Sequence, residues 1–318
     1  MAQPRIRRRL QHKGRFTQIP IYLGKFFRMF IYMDDWKVLP MAAIIAGLVA
    51  FVAGRNMFSN MEGCLMGSLA MTCICIWNGF FNSIQSVVRE RDIVKREHRS
   101  GMHITSYLCA HIIYQAFLCL LQTIITIVVC SAAGMNFPEQ GYCTPIFKVD
   151  LGITIFLITF SADMLSLMIS CIAKTTTGAM TIMPFMLIFE LLFSGSVFKL
   201  GDNMTKFTDL SIAKWGLNCI CAQSQYNSLP MVTVWNQMVK FSNVEFQGFQ
   251  PLKDITVYMQ TNDMIGEFNL QVGANSQNPA YALNVNNVGN CWLALLLFAV
   301  VAIVVAVIFL ERIDKDKR

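Results

Sequence analysis

Six apolar stretches, each close to the length that crosses a bilayer, leave this 318-residue chain few folds to choose from. They run from Val38 to Gly54, Cys64 to Val87, Ile104 to Ala133, Leu151 to Ala173, Gly178 to Phe198 and Cys291 to Leu310. A hydrocarbon core of about 30 Å takes about 20 predominantly apolar residues per helix, so the first stretch is short and the third long. None alternates apolar and polar residues as a barrel strand does. Helices remain, because in lipid each backbone amide must find its partner within its own segment. Hydrophobic residues make up 55% of the chain and charged residues 14%, which excludes an ordinary soluble domain. The expected fold is an all-α integral membrane protein with six transmembrane helices.

Lysine and arginine fix the expected orientation. Arg5, Arg7, Arg8, Arg9, Lys13 and Arg15 lie in a basic arm over residues 1–16. Arg89, Arg91, Lys95, Arg96 and Arg99 lie between the second and third stretches, and Arg312, Lys315, Lys317 and Arg318 in a tail over 311–318. By the positive-inside rule all three are cytoplasmic, and six spans return the tail to the side of the start. The net charge of +7 is thereby explained by membrane flanks and anionic lipid, and a nucleic-acid partner is not expected. The expected location is the plasma membrane, multi-pass, with both termini cytoplasmic.

Residues 17–37 precede the first span. Wound at about 100° per residue, Ile21 to Met33 places Leu23, Phe26, Phe27, Met29, Phe30 and Met33 on one face, with Lys25, Arg28 and Tyr32 opposite. That is an amphipathic helix in the membrane interface. Lys25 and Arg28 interrupt the apolar core that a cleavable signal would need. Residues 38–198 hold spans one to five, and 291–310 span six. Residues 199–290, about 90 in all and slightly acidic, are too long for a connection and are expected to form an external domain. Within it Thr208 to Tyr226 has the mixed character of a segment in the outer interface, and Asn203-Met204-Thr205 fits a glycosylation acceptor.

The connection at 88–103 mixes signs. Glu90, Asp92 and Glu97 interleave with Arg91, Lys95 and Arg96 at spacings that favour pairing within a helix. Gly101 then permits a tight turn into the third span. A solvated loop serving topology alone would not need the acids.

The order of these parts resembles the membrane domain of type-2 ABC exporters, closest to the G subfamily. The resemblance rests on the interfacial helix, a hinge carrying Glu90-Arg91, Arg96-Glu97, Gly101-Met102 and Ser106-Tyr107, a Phe193-Ser194-Gly195 end to the fifth span, and a large loop before the sixth. It implies a half-exporter. The hinge would be the coupling helix that touches a nucleotide-binding domain, through Glu90, Arg91, Arg96, Glu97 and Gly101. Two membrane domains, identical or different, would face each other across a cavity between the second and fifth spans. By the same resemblance Asn78, Phe81, Asn82, Ile188 and Leu191 would line that cavity, and Ser196 and Val197 would occupy the gate. In many G-subfamily members the nucleotide-binding domain precedes the membrane domain, and a chain that starts at Met1 near the connecting helix departs from that pattern.

Energy must come from elsewhere. The GxxxxGK[ST] loop that cradles nucleotide phosphates is missing from the sequence, so no enzymatic activity and no cofactor is expected in the chain itself. ATP and magnesium would be held by the partner ATPase. The 11 cysteines match no zinc or redox spacing, and no metal is expected. Cys143, Cys219 and Cys221 fall outside the spans, which leaves a bridge from Cys143 open. Asp163 and Glu190 lie inside spans, where an ionised acid is costly and needs a partner. Asp163 is read as a packing residue beside Ser161 and Ser166. Glu190 is expected off the face shared by Ile188 and Leu191. Two other classes remain: an ion-coupled transporter or channel with Asp163, His111 and Glu190 as a proton relay, and a non-transporting scaffold. The substrate of an exporter would be a lipid, a drug-like compound or a peptide.

Overall fold

The computed structural model describes residues 14–33, 35–55, 57–59, 61–195, 205–229, 232, 234–268 and 277–313. Most of the basic arm, the gate pair Ser196 and Val197, Asn203 and the basic tail beyond Ile313 lie outside these. Among the described residues the secondary structure is helical, apart from one isolated bridge between Phe246 and Phe249.

Helix α1 (Arg15–Tyr32) leads into α2 (Val38–Ala53), then α3 (Met61–Ser83), the short α4 (Ser86–Arg89), α5 (Arg91–Arg99), α6 (Ile104–Ala132) and α7 (Phe147–Ile172). There follow α8 (Thr176–Leu192), α9 (Thr205–Thr208), α10 (Ile212–Gln223), α11 (Val234–Phe241), α12 (Pro251–Thr261), α13 (Ile265–Phe268) and α14 (Val285–Glu311). Among the described residues five segments are long and apolar enough to cross a membrane: Asp35–Ala53, Gly63–Arg89, Ile104–Ala132, Phe147–Ile172 and Val285–Glu311. The expected sixth, Gly178 to Phe198, differs. Its helix covers only Thr176–Leu192, 17 residues or ~26 Å at 1.5 Å per residue. Past Leu192 the chain turns, with Gly195 at φ 81°, a conformation that side chains disfavour.

Small residues bring the helices together, as expected where lipid offers no hydrophobic gain for association. Ala42, Ala46 and Ala50 form the buried stripe of α2, which packs on α6. Ala299, Ala302 and Ala306 do the same for α14, which lies along α7. Helices α3 and α7 approach closely. A Cβ added at Gly79 would stand 2.8 Å from the Cβ of Ala162 and from the amide nitrogen of Asp163. Hydrogen bonds reinforce this axis: Ser166 Oγ donates to the carbonyl of Gly79 at 3.4 Å, and Ser161 Oγ to that of Leu295 on α14 at 2.7 Å.

Residues 199–290 do not stand wholly apart from the bundle. Ten of the twelve residues of α10 are buried, and the helix packs on α3, α7 and α14. Gly216 makes room, since a Cβ there would meet Ile158 at 2.8 Å and Thr72 at 2.9 Å. Within the segment Thr208 to Tyr226, expected to lie in the outer interface as a re-entrant element does, α10 is packed among spans. It brings polar groups with it, and these are satisfied. Thr154 Oγ1 accepts from Gln223 Nε2 at 2.9 Å and from Trp292 Nε1 at 2.9 Å, so α7, α10 and α14 meet at one hydroxyl. Helices α11 and α12 pack on each other and lie farther along the same segment.

The Gly79 contact makes a test. Gly79→Val should cost about 1–3 kcal/mol through overpacking and lower the unfolding temperature in detergent, whereas Gly289→Ala, where a Cβ meets nothing within 4 Å, should leave it unchanged. Equal melting of both variants would show that α3 and α7 do not touch at Gly79.

Candidate functional site

The charged hinge folds as an elbow. Helix α4 carries on from α3, a kink at Glu90 follows, and α5 runs from Arg91 to Arg99. Gly101 turns the chain into α6 at φ 107°, which only glycine adopts readily. Charges at its inner side reach partners beyond the elbow. Glu90 is 9% exposed and its carboxylate accepts from Lys25 Nζ of α1 at 3.0 Å. Arg91 Nη1 donates to the carbonyls of Cys171 and Ala173 at 2.9 and 3.0 Å. That places a cation on the unsatisfied end of α7, where the helix dipole is negative. Ser170 Oγ accepts from the amides of Val87 and Val88, both at 3.1 Å. The elbow is therefore fastened to the last turn of α7.

Helix α1 fastens its other side. Gln18 Nε2 donates to the carbonyl of Gly101 at 3.2 Å and Gln18 Oε1 accepts from the amide of His103 at 2.9 Å. Ser106 Oγ donates to the carbonyl of Arg15 at 2.8 Å. Gln18 and Lys25 are two helical turns apart on α1, so one helix holds both ends of α5. Between them Tyr22 lies beside Glu97; burial first, then that carboxylate, pushes its phenol up to about 12, so it stays a neutral donor. On the apolar face of α1, Phe26 is buried against protein while Leu23, Phe27, Met29 and Phe30 are half-buried. Phe26 packs on Tyr107, His111 and Tyr114 of α6, with centroids 5.6, 4.8 and 5.8 Å away. Met33, expected on that face, is exposed.

This divides the five hinge residues. Glu90, Arg91 and Gly101 are spent on internal contacts, and Glu97 is half-buried. Arg96 faces outward. Three further residues share its exposed side, Asp92, Ile93 and Arg99. The mixture of an aliphatic and charges of both signs was visible in sequence, but which of the charges point out depends on α1.

Asn82, Asp163 and the α6 side chains form a polar knot. Asn82 and Gln122 exchange amide hydrogen bonds at 3.0 and 2.9 Å, and Asn82 Nδ2 also reaches Asp163 Oδ2 at 3.4 Å. Cys119 Sγ donates to the same oxygen at 3.3 Å. Asp163 is thus bonded to both α3 and α6. The expected neighbours contribute only nearby: Ser166 bonds the backbone carbonyl of Asp163, and Ser161 bonds elsewhere. Glu190 has a separate duty. Its Oε2 accepts from Ser211 Oγ at 2.7 Å and from the amide of Ala213 at 2.9 Å, so it seats the positive end of α10. His111 sits in the aromatic cluster under α1. The three residues of the relay alternative have three different settings.

On α3 and α8 a large apolar surface is left bare in the single chain. Phe81 is 45% exposed and Ile188 53%, and Leu191, Trp77, Ile182 and Phe185 are exposed as well. Asn78 is buried and Asn82 half-buried in the knot. Met183, of the Met-rich run, faces the core. A cavity of about 290 Å³ lies where α1, α2, α3 and α6 meet, with Phe26, Phe81, Gln85, Arg89 and Tyr114 among its walls.

Residues 23–222 match the family described as ABC-2 type transporter. The matched range runs from α1 through α10. A relative, the ABC transporter ATP-binding/permease protein of Mycobacterium tuberculosis, is 27% identical over 146 residues, covering 44% of this chain and 16% of the relative.

Lys25→Glu should loosen the elbow by about 1–2 kcal/mol, the pair being only partly shielded from solvent, and Lys25→Glu with Glu90→Lys should recover most of that loss. Thermal unfolding of the four proteins of this cycle measures the coupling. Additive effects would dissolve the clamp.

Proposed function

This chain belongs to the ABC-2 type transporter family, and from that membership we propose that it is the permease of an ATP-driven exporter built on the G-subfamily plan. Transport is powered by an ATPase domain, whether on another subunit or elsewhere on a longer polypeptide, and that domain holds the ATP and magnesium. The printed name of the mycobacterial relative couples an ATP-binding part with a permease part, which supports such a partner here.

The observation that carries the proposal is the way α5 is mounted. A coupling rod needs a rigid base and an exposed face. Lys25, Gln18, Arg91 and Ser170 supply the base, and Asp92, Ile93, Arg96 and Arg99 the face. Ile93 seats in an apolar pocket of the ATPase while the charges around it set orientation. Closure of the ATPase then pushes the elbow, and the push passes to α3, α6 and α7 together because all three are bonded to it. By the distribution of Lys and Arg the elbow and both termini are cytoplasmic, in the plasma membrane.

A second membrane domain covers the bare surface of α3 and α8. Between two copies that surface encloses a cavity lined by Phe81, Ile188 and Leu191. Its walls suit an apolar or amphipathic substrate, a lipid, a drug-like compound or a peptide. Ser196 and Val197 stand at the gate in this reading.

In the assembled transporter, Ile93→Asp should lower export-coupled ATP turnover at least tenfold without changing the amount of folded permease, measured as ATPase activity in proteoliposomes. Wild-type turnover would free α5 from the coupling role. Leu191→Trp should alter the order of preference among transported compounds while ATPase docking persists. An unaltered order across a lipid, a drug-like and a peptide panel would move the cavity off α8.

A further inference from the structure

Four of the buried cysteines fall into two pairs, each shared between α10 and a span. Cys64 near the start of α3 and Cys221 of α10 belong to one cluster of buried side chains, and Cys219 of α10 and Cys291 near the start of α14 belong to another. Helix α10 packs on both α3 and α14, and within each pair the two thiols lie close enough to act on each other. Each of the four is no more than 1% exposed.

Their position along the bundle is fixed by the other end. The last turn of α14, with Leu310 and Ile313, packs in the same cluster as Phe26 of α1 and Val94 of α5. The first turns of α14 and α3 therefore lie at the end away from the elbow, and so does α10. If the elbow is cytoplasmic, both pairs stand in the outer half of the membrane, where disulfides form and persist.

We propose that Cys64–Cys221 and Cys219–Cys291 are disulfide bonds in the mature transporter, two staples that fix α10 between α3 and α14. The proposal rests on the orientation given under the proposed function. Each bridge forms by exchange with a disulfide donor of the oxidising compartment, either a glutathione-type disulfide or the disulfide form of a thiol oxidoreductase. One cysteine thiolate attacks the donor, breaking its S–S bond and releasing one donor thiol. The paired thiolate then displaces the second donor thiol as the protein S–S bond forms. Two electrons pass to the donor, and the two protons lost by the cysteines end on its two thiols. Because the docked pairs are sealed from solvent, exchange takes place before α10 settles into the bundle.

Free buried thiols, packed as small apolar groups, are the competing state, and mass spectrometry separates the two. The full chain is extracted in the presence of N-ethylmaleimide, denatured without reductant, alkylated again and digested. Disulfides predict that the peptides holding Cys64 and Cys291 are both linked to the peptide holding Cys219 and Cys221. Cys64→Ser should abolish the first link and keep the second, and Cys291→Ser the reverse. Dithiothreitol should lower the melting temperature of the wild type by about 5 °C or more and leave that of a variant with all four changed to serine unmoved. Maleimide on all four cysteines of the unreduced wild type overturns the proposal. Cys143, exposed in the loop between α6 and α7 at the same end, reports orientation independently. Labelling of Cys143 by an impermeant maleimide on intact cells, with the four thiols free, rejects the bridges alone. Labelling only from the cytosolic side rejects the orientation.

Discussion

The close approach of α3 and α7 at Gly79 is the contact around which the remaining helices are placed. Without a side chain at this position the two backbones come near enough for Ser166 to reach the Gly79 carbonyl, and Asp163 is carried to within reach of Asn82. The polar knot that follows ties in α6 through Gln122 and Cys119. At one end of this axis α3 continues into the elbow, where Arg91 closes the carbonyl end of α7. At the other, α10 fits against both helices through Gly216. Elbow and buried helix are thus two ends of one helix pair.

Much of this was legible in the sequence. Span starts and ends agree within a few residues for α2, α3 and α6, because an unbroken apolar run with flanking charges has few alternatives in a bilayer. The amphipathic character of α1 and the turn at Gly101 were also readable. What escaped was whatever depends on contacts distant in the chain. Sequence spacing offered Glu90 partners on its own helix, but Lys25, 65 residues away, reaches it. Glu190 was a costly acid of open purpose until Ser211 and the amide of Ala213 were found on it. Helix α10 has too many polar residues to read as a span. It is admitted to the bundle because Thr154 satisfies Gln223 and Gly216 grants space, neither of which periodicity reports.

Buried polar side chains here sort by partner rather than by depth. Asn82 and Gln122 hold each other in a reciprocal amide pair, which sets the register of α3 against α6, since a slip by one residue would break both bonds. Asp163 draws on the same pair. Such groups stabilise one arrangement over its neighbours, and they leave the apolar faces of α3 and α8 to meet what lies opposite.

Helix α7 is bonded at both extremities. Its final turn is gripped by Arg91 and holds the amides of Val87 and Val88 through Ser170, while Thr154 near its beginning holds Gln223 and Trp292. A helix of 26 residues is a strut ~39 Å long, stiff along its axis. Anything that tips the lower bearing of such a strut must also rock the collar at its top, so the two faces of the membrane are geared together without a moving part between them.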